Sequence, residues 1–168
     1  ETGINERGLI EALDYDQIDD VGAYPRAPEP ASLYRMHGNL SGAYKVKNIR
    51  CRNRVVLTNK TPSGLNRGFG GPQHYFALER LVHQIAVELD LNVLDVIKVN
   101  LLEKKQFPYK SPSGALLDSG DFQKLVKKVV KSSTYKNILK KKNNAIKNGK
   151  IYGIGYSAII EPSISNMG

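Results

Sequence analysis

Residues 61–73 read Thr-Pro-Ser-Gly-Leu-Asn-Arg-Gly-Phe-Gly-Gly-Pro-Gln and run directly into a helical pattern, Tyr-Phe-Ala-Leu-Glu-Arg-Leu, at 75–81. A stretch so rich in glycine and so short of bulky side chains cannot be core, and the chain must use it as a turn that feeds a helix. Gly68, Gly70 and Gly71 let the backbone approach a ligand closely. The helix beyond them offers unpaired N–H groups and a positive dipole end to an anionic or oxo group. Arg67 and Gln73 bracket the turn with polar donors. The run lacks the Lys-Ser/Thr pair with which a P-loop holds nucleotide phosphate and Mg²⁺, and it lacks the third glycine of the dinucleotide fingerprint. Ordinary nucleotide sites are therefore a poor fit.

The chain has 168 residues, 40% of them hydrophobic and 24% charged, enough for one ordinary domain core. No stretch approaches the roughly 18 uncharged apolar residues of a membrane span, and no signal peptide is visible. The single cysteine, Cys51, excludes an internal disulfide framework and any cysteine-rich iron–sulfur or zinc site. It reads as a small hydrophobe in or beside a strand. His37, His74 and His83 form no His-Glu-x-x-His or comparable ligand set. The simplest setting for such a chain is the cytoplasm.

The net charge of +9 is concentrated in one place. Residues 122–150 hold ten lysines, no arginine and no acid, whereas the rest of the chain holds 15 basic and 16 acidic residues. With few aromatics to stack bases and no arginine for bidentate contacts, this segment reads as a solvated lysine face or a docking surface for an acidic partner, in preference to a nucleic-acid patch.

A pass along the chain gives the α+β class, in one partial domain over residues 1–168. Residues 1–72 read mainly as strands and irregular loops, 73–150 mainly as helices, and 151–161 as a strand. Asn-Glu-Arg-Gly at 5–8 predicts a hairpin turn, with a strand over about 9–20. Only four residues precede this turn, so its other strand is expected to be missing or supplied by another chain. Pro25, Pro28 and Pro30 make 21–39 an irregular excursion. A β-branched strand is expected at 52–58. Leu78, Leu81, Val82, Ile85, Ala86 and Leu89 repeat at helical spacing, and Asn92 with Asp95 starts a second helix in the capping pattern. A lysine-rich helix is expected from about 121 to 131, with another reaching 148. Gly-Ile-Gly-Tyr-Ser-Ala at 153–158 matches a relaxed dinucleotide pattern, but no strand precedes it and Pro162 follows in place of a helix, so the match carries nothing.

A wider set of motifs is more specific. Gly-Ala-Tyr at 22–24, Ala-Ser-Leu-Tyr-Arg at 31–35, Gly-Ala-Tyr-Lys-Val-Lys-Asn at 42–48, the segment 66–73, Ala-Leu-Glu-Arg-Leu at 77–81, Val-Asn-Leu-Leu at 99–102, Asp-Ser-Gly-Asp at 118–121 and Glu-Pro-Ser at 161–163 cover nearly the whole chain. In order and spacing they resemble the large, molybdopterin-binding subunits of the molybdenum hydroxylases, which include xanthine dehydrogenase, aldehyde oxidoreductase and aerobic carbon monoxide dehydrogenase. The resemblance implies a molybdenum–molybdopterin cofactor, in its dinucleotide form, contacted by Arg67, Gly68, Gly70, Gly71 and Gln73, with Arg67 close to the metal without ligating it. It places Phe69 and Arg35 against the substrate. Each residue also has a plainer reading: Arg67 pairing with Glu79 or a helix end, Phe69 as core, Gln73 as a helix cap.

The implied reaction is hydroxylation of an aldehyde or aromatic N-heterocycle with water as oxygen source, an aldehyde being preferred to a purine. Carbon monoxide is disfavoured because residues 65–69 lack the cysteine that those members carry in the loop. Iron–sulfur clusters and FAD are expected on partner subunits. The family's catalytic glutamate segment has no counterpart here, and Glu161 matches a different position. The chain is thus expected to be a middle piece of a large subunit, inactive alone and assembling with the remaining large-subunit segments, an iron–sulfur subunit and a flavin subunit. Homo-oligomerisation is compatible with this. Two alternatives stay open: a non-catalytic remnant or interaction protein of the same fold, and a lysine-rich nucleic-acid-binding module.

Overall fold

The computed structural model describes residues 1–26, 34–64 and 66–161, with backbone only at Tyr34 and Arg35. The hairpin turn forms where Asn5 and Gly8 require it: Asn5 Oδ1 accepts from the amides of Arg7 and Leu9 at 3.0 and 3.1 Å, and Gly8 takes a positive φ of 74°. The four residues before the turn suffice to complete it. Thr2–Ile4 (β1) pairs antiparallel with Ile10–Asp20 (β2), which corrects the expectation that the upstream strand must come from elsewhere. Asn48–Val56 (β3) pairs parallel to β2, giving the sheet order β1-β2-β3.

The parallel pair has two chemically distinct faces, because successive side chains point to opposite sides. On one, Asp14 and Asp16 meet Arg50, Arg52 and Arg54 as exposed ion pairs. On the other, Leu13, Tyr15 and Ile49 pack against helix Gly71–Glu88 (α1) and the 3-10 turn Tyr34–Asn39. Cys51 lies half-buried in β3, with the Gln17 carboxamide 3.8 Å from its sulfur.

The α1 residues Leu78, Val82, Ile85 and Ala86 join Ile10, Tyr44, Val96 and Leu101 in one core, so the helical apolar spacing in the sequence is a buried stripe. Helix α2 (Val93–Asn100) starts where expected, with Asn92 Oδ1 accepting the Leu94 amide at 2.9 Å. Its last residue, Asn100, is fully buried and satisfied. It accepts from the Ile10 amide and donates to the carbonyls of Gly8 and Val96, all within 2.8 Å, and so ties the helix end to the hairpin turn. A short hairpin, Tyr109–Lys110 (β4) with Leu116–Leu117 (β5), leads to two lysine-rich helices, Phe122–Lys131 (α3) and Ser133–Lys147 (α4). Asp121 and Ser132 cap them.

Residues 151–161 run with alternating burial, Tyr152, Ile154, Tyr156, Ala158 and Ile160 being the partly buried set. The alternation is that of a strand, but the segment pairs with no other strand among the described residues.

Candidate functional site

The glycine turn is held from behind by the end of β2. Asp20 accepts from the Gly22 amide, the Thr58 hydroxyl and the Lys60 ammonium, which hold its carboxyl down at about 2, Lys60 contributing most. Gly22, at φ 76°, lies so close to the chain at Thr61 that a Cβ there would stand 2.5 Å from the Thr61 carbonyl oxygen. Backbone bonds Ala23 N to Lys60 O and Ser63 N to Val21 O complete the clamp, at 3.1 and 3.0 Å. The chain therefore enters the turn from a fixed position.

Within the turn, Gly68, Phe69 and Gly70 all adopt positive φ, of 92°, 42° and 84°. For Gly68 and Gly70 this conformation is free of strain. For Phe69 it is costly, so the phenyl ring is held by its neighbours' geometry and not by its own preference. The ring is 38% exposed and so is not a core aromatic. The Gly71 amide bonds to Gly68 O at 2.7 Å and the His74 amide to Gly70 O at 3.0 Å, whereas the amides of Gly70 and Gln73 have no partner among the described residues. Pro72 occupies the first turn of α1, where its missing N–H costs nothing.

The plainer readings of two side chains do not fit this geometry. No side chain caps the N-terminus of α1, and the exposed Gln73 carboxamide has no partner among the described residues. Arg67 is exposed and makes no ion pair among them. Glu79 is instead buried, accepting from the Tyr44 hydroxyl at 2.9 and 3.0 Å and from the Ala158 amide at 2.9 Å. The side chain of Arg35 lies outside the described residues.

Three side chains to which the sequence reading gave other roles or none build the other wall. Tyr75 donates to Ile160 O, Glu79 accepts from Ala158 N, and His83 Nε2 lies 2.7 Å from Tyr156 O. These α1 residues are spaced by four and their partners by two in the opposite direction. Four helical residues rise about 6 Å and two strand residues about 6.6 Å, so one helix face can satisfy one edge of an extended segment with side chains alone. Burial pushes the Glu79 carboxyl above its usual range, the Ala158 amide and Tyr44 hydroxyl pulling the other way. Burial also raises the Tyr75 hydroxyl to about 12. A stripe of Tyr, Glu and His at four-residue spacing among the apolar positions of α1 was the available signal.

Between α1 and this segment runs a cleft of about 680 Å³, lined at one end by Gly68, Gly71 and Pro72 and along its length by Phe76, Arg80, Gly155 and Glu161. Gly68 and Gly71 thus reach the cleft, while Arg67, Phe69, Gly70 and Gln73 belong to the turn at its end and do not line it. Gly71 is buried, and a Cβ there would stand 3.8 Å from Met36 Sδ and 4.0 Å from Glu161 Oε2, ordinary contacts that put the Glu161 carboxylate beside the turn.

Helix N-terminal amides, an arginine and a carboxamide that find no partner among the described residues suit an anionic, oxygen-rich group. The sequence matches the family model described as molybdopterin cofactor-binding domain over residues 1–101. The chain belongs to that family.

The carbon monoxide dehydrogenase large chain of Hydrogenophaga pseudoflava is 30% identical over 134 residues, covering 76% of this chain and 16% of the relative. The nicotine 6-hydroxylase large subunit of Paenarthrobacter nicotinovorans is 25% identical over 167 residues, covering 98% and 20%. The crystal structure of quinoline 2-oxidoreductase from Pseudomonas putida 86 shares the fold, with a TM-score of 0.76 at 24% identity over 88% of this chain and 19% of that one. The chain thus spans about a fifth of the length of these relatives. It has the molybdopterin-binding fold of molybdenum hydroxylase large subunits. Among the described residues, no helix is long and apolar enough to cross a membrane.

Proposed function

We propose that this chain supplies one wall of the molybdenum-cofactor site in a hydroxylase that oxidises an aldehyde or an aromatic N-heterocycle with water as oxygen source. The observation that carries the reading is the glycine turn itself: it holds Phe69 at a strained φ of 42° and leaves the Gly70 and Gln73 amides, at the start of α1, without a partner among the described residues. When bound, the molybdenum–molybdopterin group, in a dinucleotide form, supplies the oxidation chemistry.

The residues of this chain position and polarise. Gly68, Gly70 and Gly71 bring backbone close to the cofactor, and the Gln73 carboxamide both donates to it and accepts from it. The Arg67 guanidinium sets a fixed positive charge near the metal without ligating it. Phe69 stacks on a flat substrate, and Arg35 faces the same space. The names of the relatives, nicotine 6-hydroxylase among them, support an N-heterocycle as one substrate class. The absence of a cysteine from residues 65–69 argues against carbon monoxide.

A chain a fifth as long as its relatives works with the remaining large-subunit segments, an iron–sulfur subunit and an FAD-carrying subunit, in the cytoplasm. Catalysis is assigned to no residue here. The test is to tag the chain in its native cell, purify it gently and measure molybdenum by mass spectrometry together with the co-purifying chains. Molybdenum with iron–sulfur and flavin partners is the expected result. A metal-free chain without them overturns the proposal.

A further inference from the structure

Both lysine-rich helices turn their apolar residues the same way. Leu125, Val126 and Val129 of α3 and Tyr135 and Ile138 of α4 line a cleft of about 730 Å³ against the segment 151–161. Lys124, Lys127, Lys128 and Lys131, at i, i+3, i+4 and i+7, form a stripe on the side of α3 opposite those apolar positions. Lys136, Lys140 and Lys147, at i, i+4 and i+11, form a second stripe on the side of α4 away from Tyr135 and Ile138. The lysines of both stripes are exposed, and none makes an ion pair or a side-chain hydrogen bond among the described residues.

The chain handles charge differently elsewhere. It sets Arg50 against Asp14, Arg54 against Asp16, Lys60 against Asp20 and Lys45 against Glu103. Residues 122–150 hold no acid, so no lysine there has a carboxylate one turn away within its helix. Like charges about 5.4 Å apart along a stripe repel, well inside the screening length of about 8 Å. The counter-charge has to come from outside these helices. A nucleic acid fits poorly, because the segment has no arginine and its aromatics, Phe122 and Tyr135, face the cleft. An anionic bilayer fits poorly, because no apolar side chain stands within the α3 stripe to enter it. A second copy of this chain brings the same excess of positive charge. An acidic protein surface meets the stripes with the opposite sign.

The segment 151–161 separates the two helices from the glycine turn: it shares one cleft with α1, Gly68 and Gly71, and the other with α3 and α4. The lysine stripes therefore point away from the turn, and an electron carrier that has to approach the metal does not cover them. We propose that the outward face of α3 and α4 docks an acidic surface of the flavin-carrying subunit, the companion whose electrons arrive through the iron–sulfur clusters. The inference rests on the hydroxylase reading above, which supplies that companion.

Zero-length carbodiimide cross-linking of the native assembly joins lysines to carboxylates in direct contact, and mass spectrometry names the chains. The expected links run from the lysines of both stripes to Asp or Glu of the flavin subunit. Links confined to the iron–sulfur subunit, to other segments of the large subunit or to a second copy of this chain overturn the proposal, and so does the absence of any link.

Replacing Lys124, Lys127, Lys128 and Lys131 together by glutamine removes four charges without touching the cleft or the core. It should lower recovery of the flavin subunit at least about tenfold and flatten the dependence of that recovery on salt, while molybdenum and iron contents stay unchanged. The same four positions replaced by arginine keep the charge and should keep the flavin subunit. Undiminished recovery with the glutamine variant, or equal loss with both variants, overturns the docking. The two readings fail separately: molybdenum and a flavin chain present with undiminished recovery sinks the docking alone, and an assembly without molybdenum sinks the cofactor reading.

Discussion

The glycines of the turn do different jobs, and substitution separates them. At Gly68, with φ 92°, an added Cβ would stand 2.8 Å from Pro72 Cδ, so Gly68→Ala should destabilise the chain by about 2 kcal/mol or more, measured by denaturant unfolding. At Gly71 the same methyl meets only ordinary contacts, so Gly71→Ala should fold as the parent does and lose molybdenum in the native assembly; retention of the metal would argue that the cofactor does not approach there. His74 makes a different prediction. It is 4% exposed, its Nε2 has no partner among the described residues, and burial, reinforced by His37 and opposed by the Leu40 carbonyl, lowers its pKa to about 4. A depressed histidine stabilises the fold fully above its unfolded value near 6.5 and loses that contribution as pH falls through about 4. His74→Phe should therefore remove on the order of 3 kcal/mol of the acid-induced loss of stability between those values, seen as a flatter dependence of unfolding free energy on pH.

At the scale of elements, α1 acts as a template for the segment 151–161 by presenting Tyr75, Glu79 and His83 where a neighbouring strand would present its backbone. Glu79→Gln tests the central rung. A carboxylate accepts from both the Tyr44 hydroxyl and the Ala158 amide, whereas a carboxamide oxygen can accept both only by turning its NH₂ away into buried space. The substitution should cost about 1–3 kcal/mol and speed exchange of the Ala158 amide. The parent's dependence on pH has the opposite sign from that of His74: the Glu79 pKa is raised, so its contribution is fully present below the unfolded value and is lost as pH rises through the folded one. Most elements were legible in the sequence because their signals are local: Asn5 with Gly8 for the hairpin turn, the apolar repeat of α1, and Asn92 for the start of α2. The pairing of 151–161 was not, since alternation announces a strand but says nothing of what satisfies its edges.

At the scale of the molecule, the unbalanced positive charge is set apart from the core. Nine of the 17 lysines sit on α3 and α4, which carry no acid, while the sheet pairs its arginines with aspartates. Replacing Lys124, Lys127, Lys128 and Lys131 by glutamine should leave the chain's melting temperature within a few degrees, because these exposed lysines make no ion pair among the described residues and such charges contribute little to stability.

The sequence by itself determined the α+β class, the turn before α1, the main helices and the resemblance to molybdenum hydroxylases, because turn chemistry, capping and apolar period are properties of neighbouring residues. Only the tertiary structure decided that β1 completes the hairpin from within the chain, that Glu79 serves Tyr44 and Ala158, and that Arg67 finds no ion pair, and one edge of 151–161 no backbone partner, among the described residues. Each of these depends on which distant groups share a buried polar partner. That is settled by satisfying hydrogen bonds across the whole core, which no local pattern encodes.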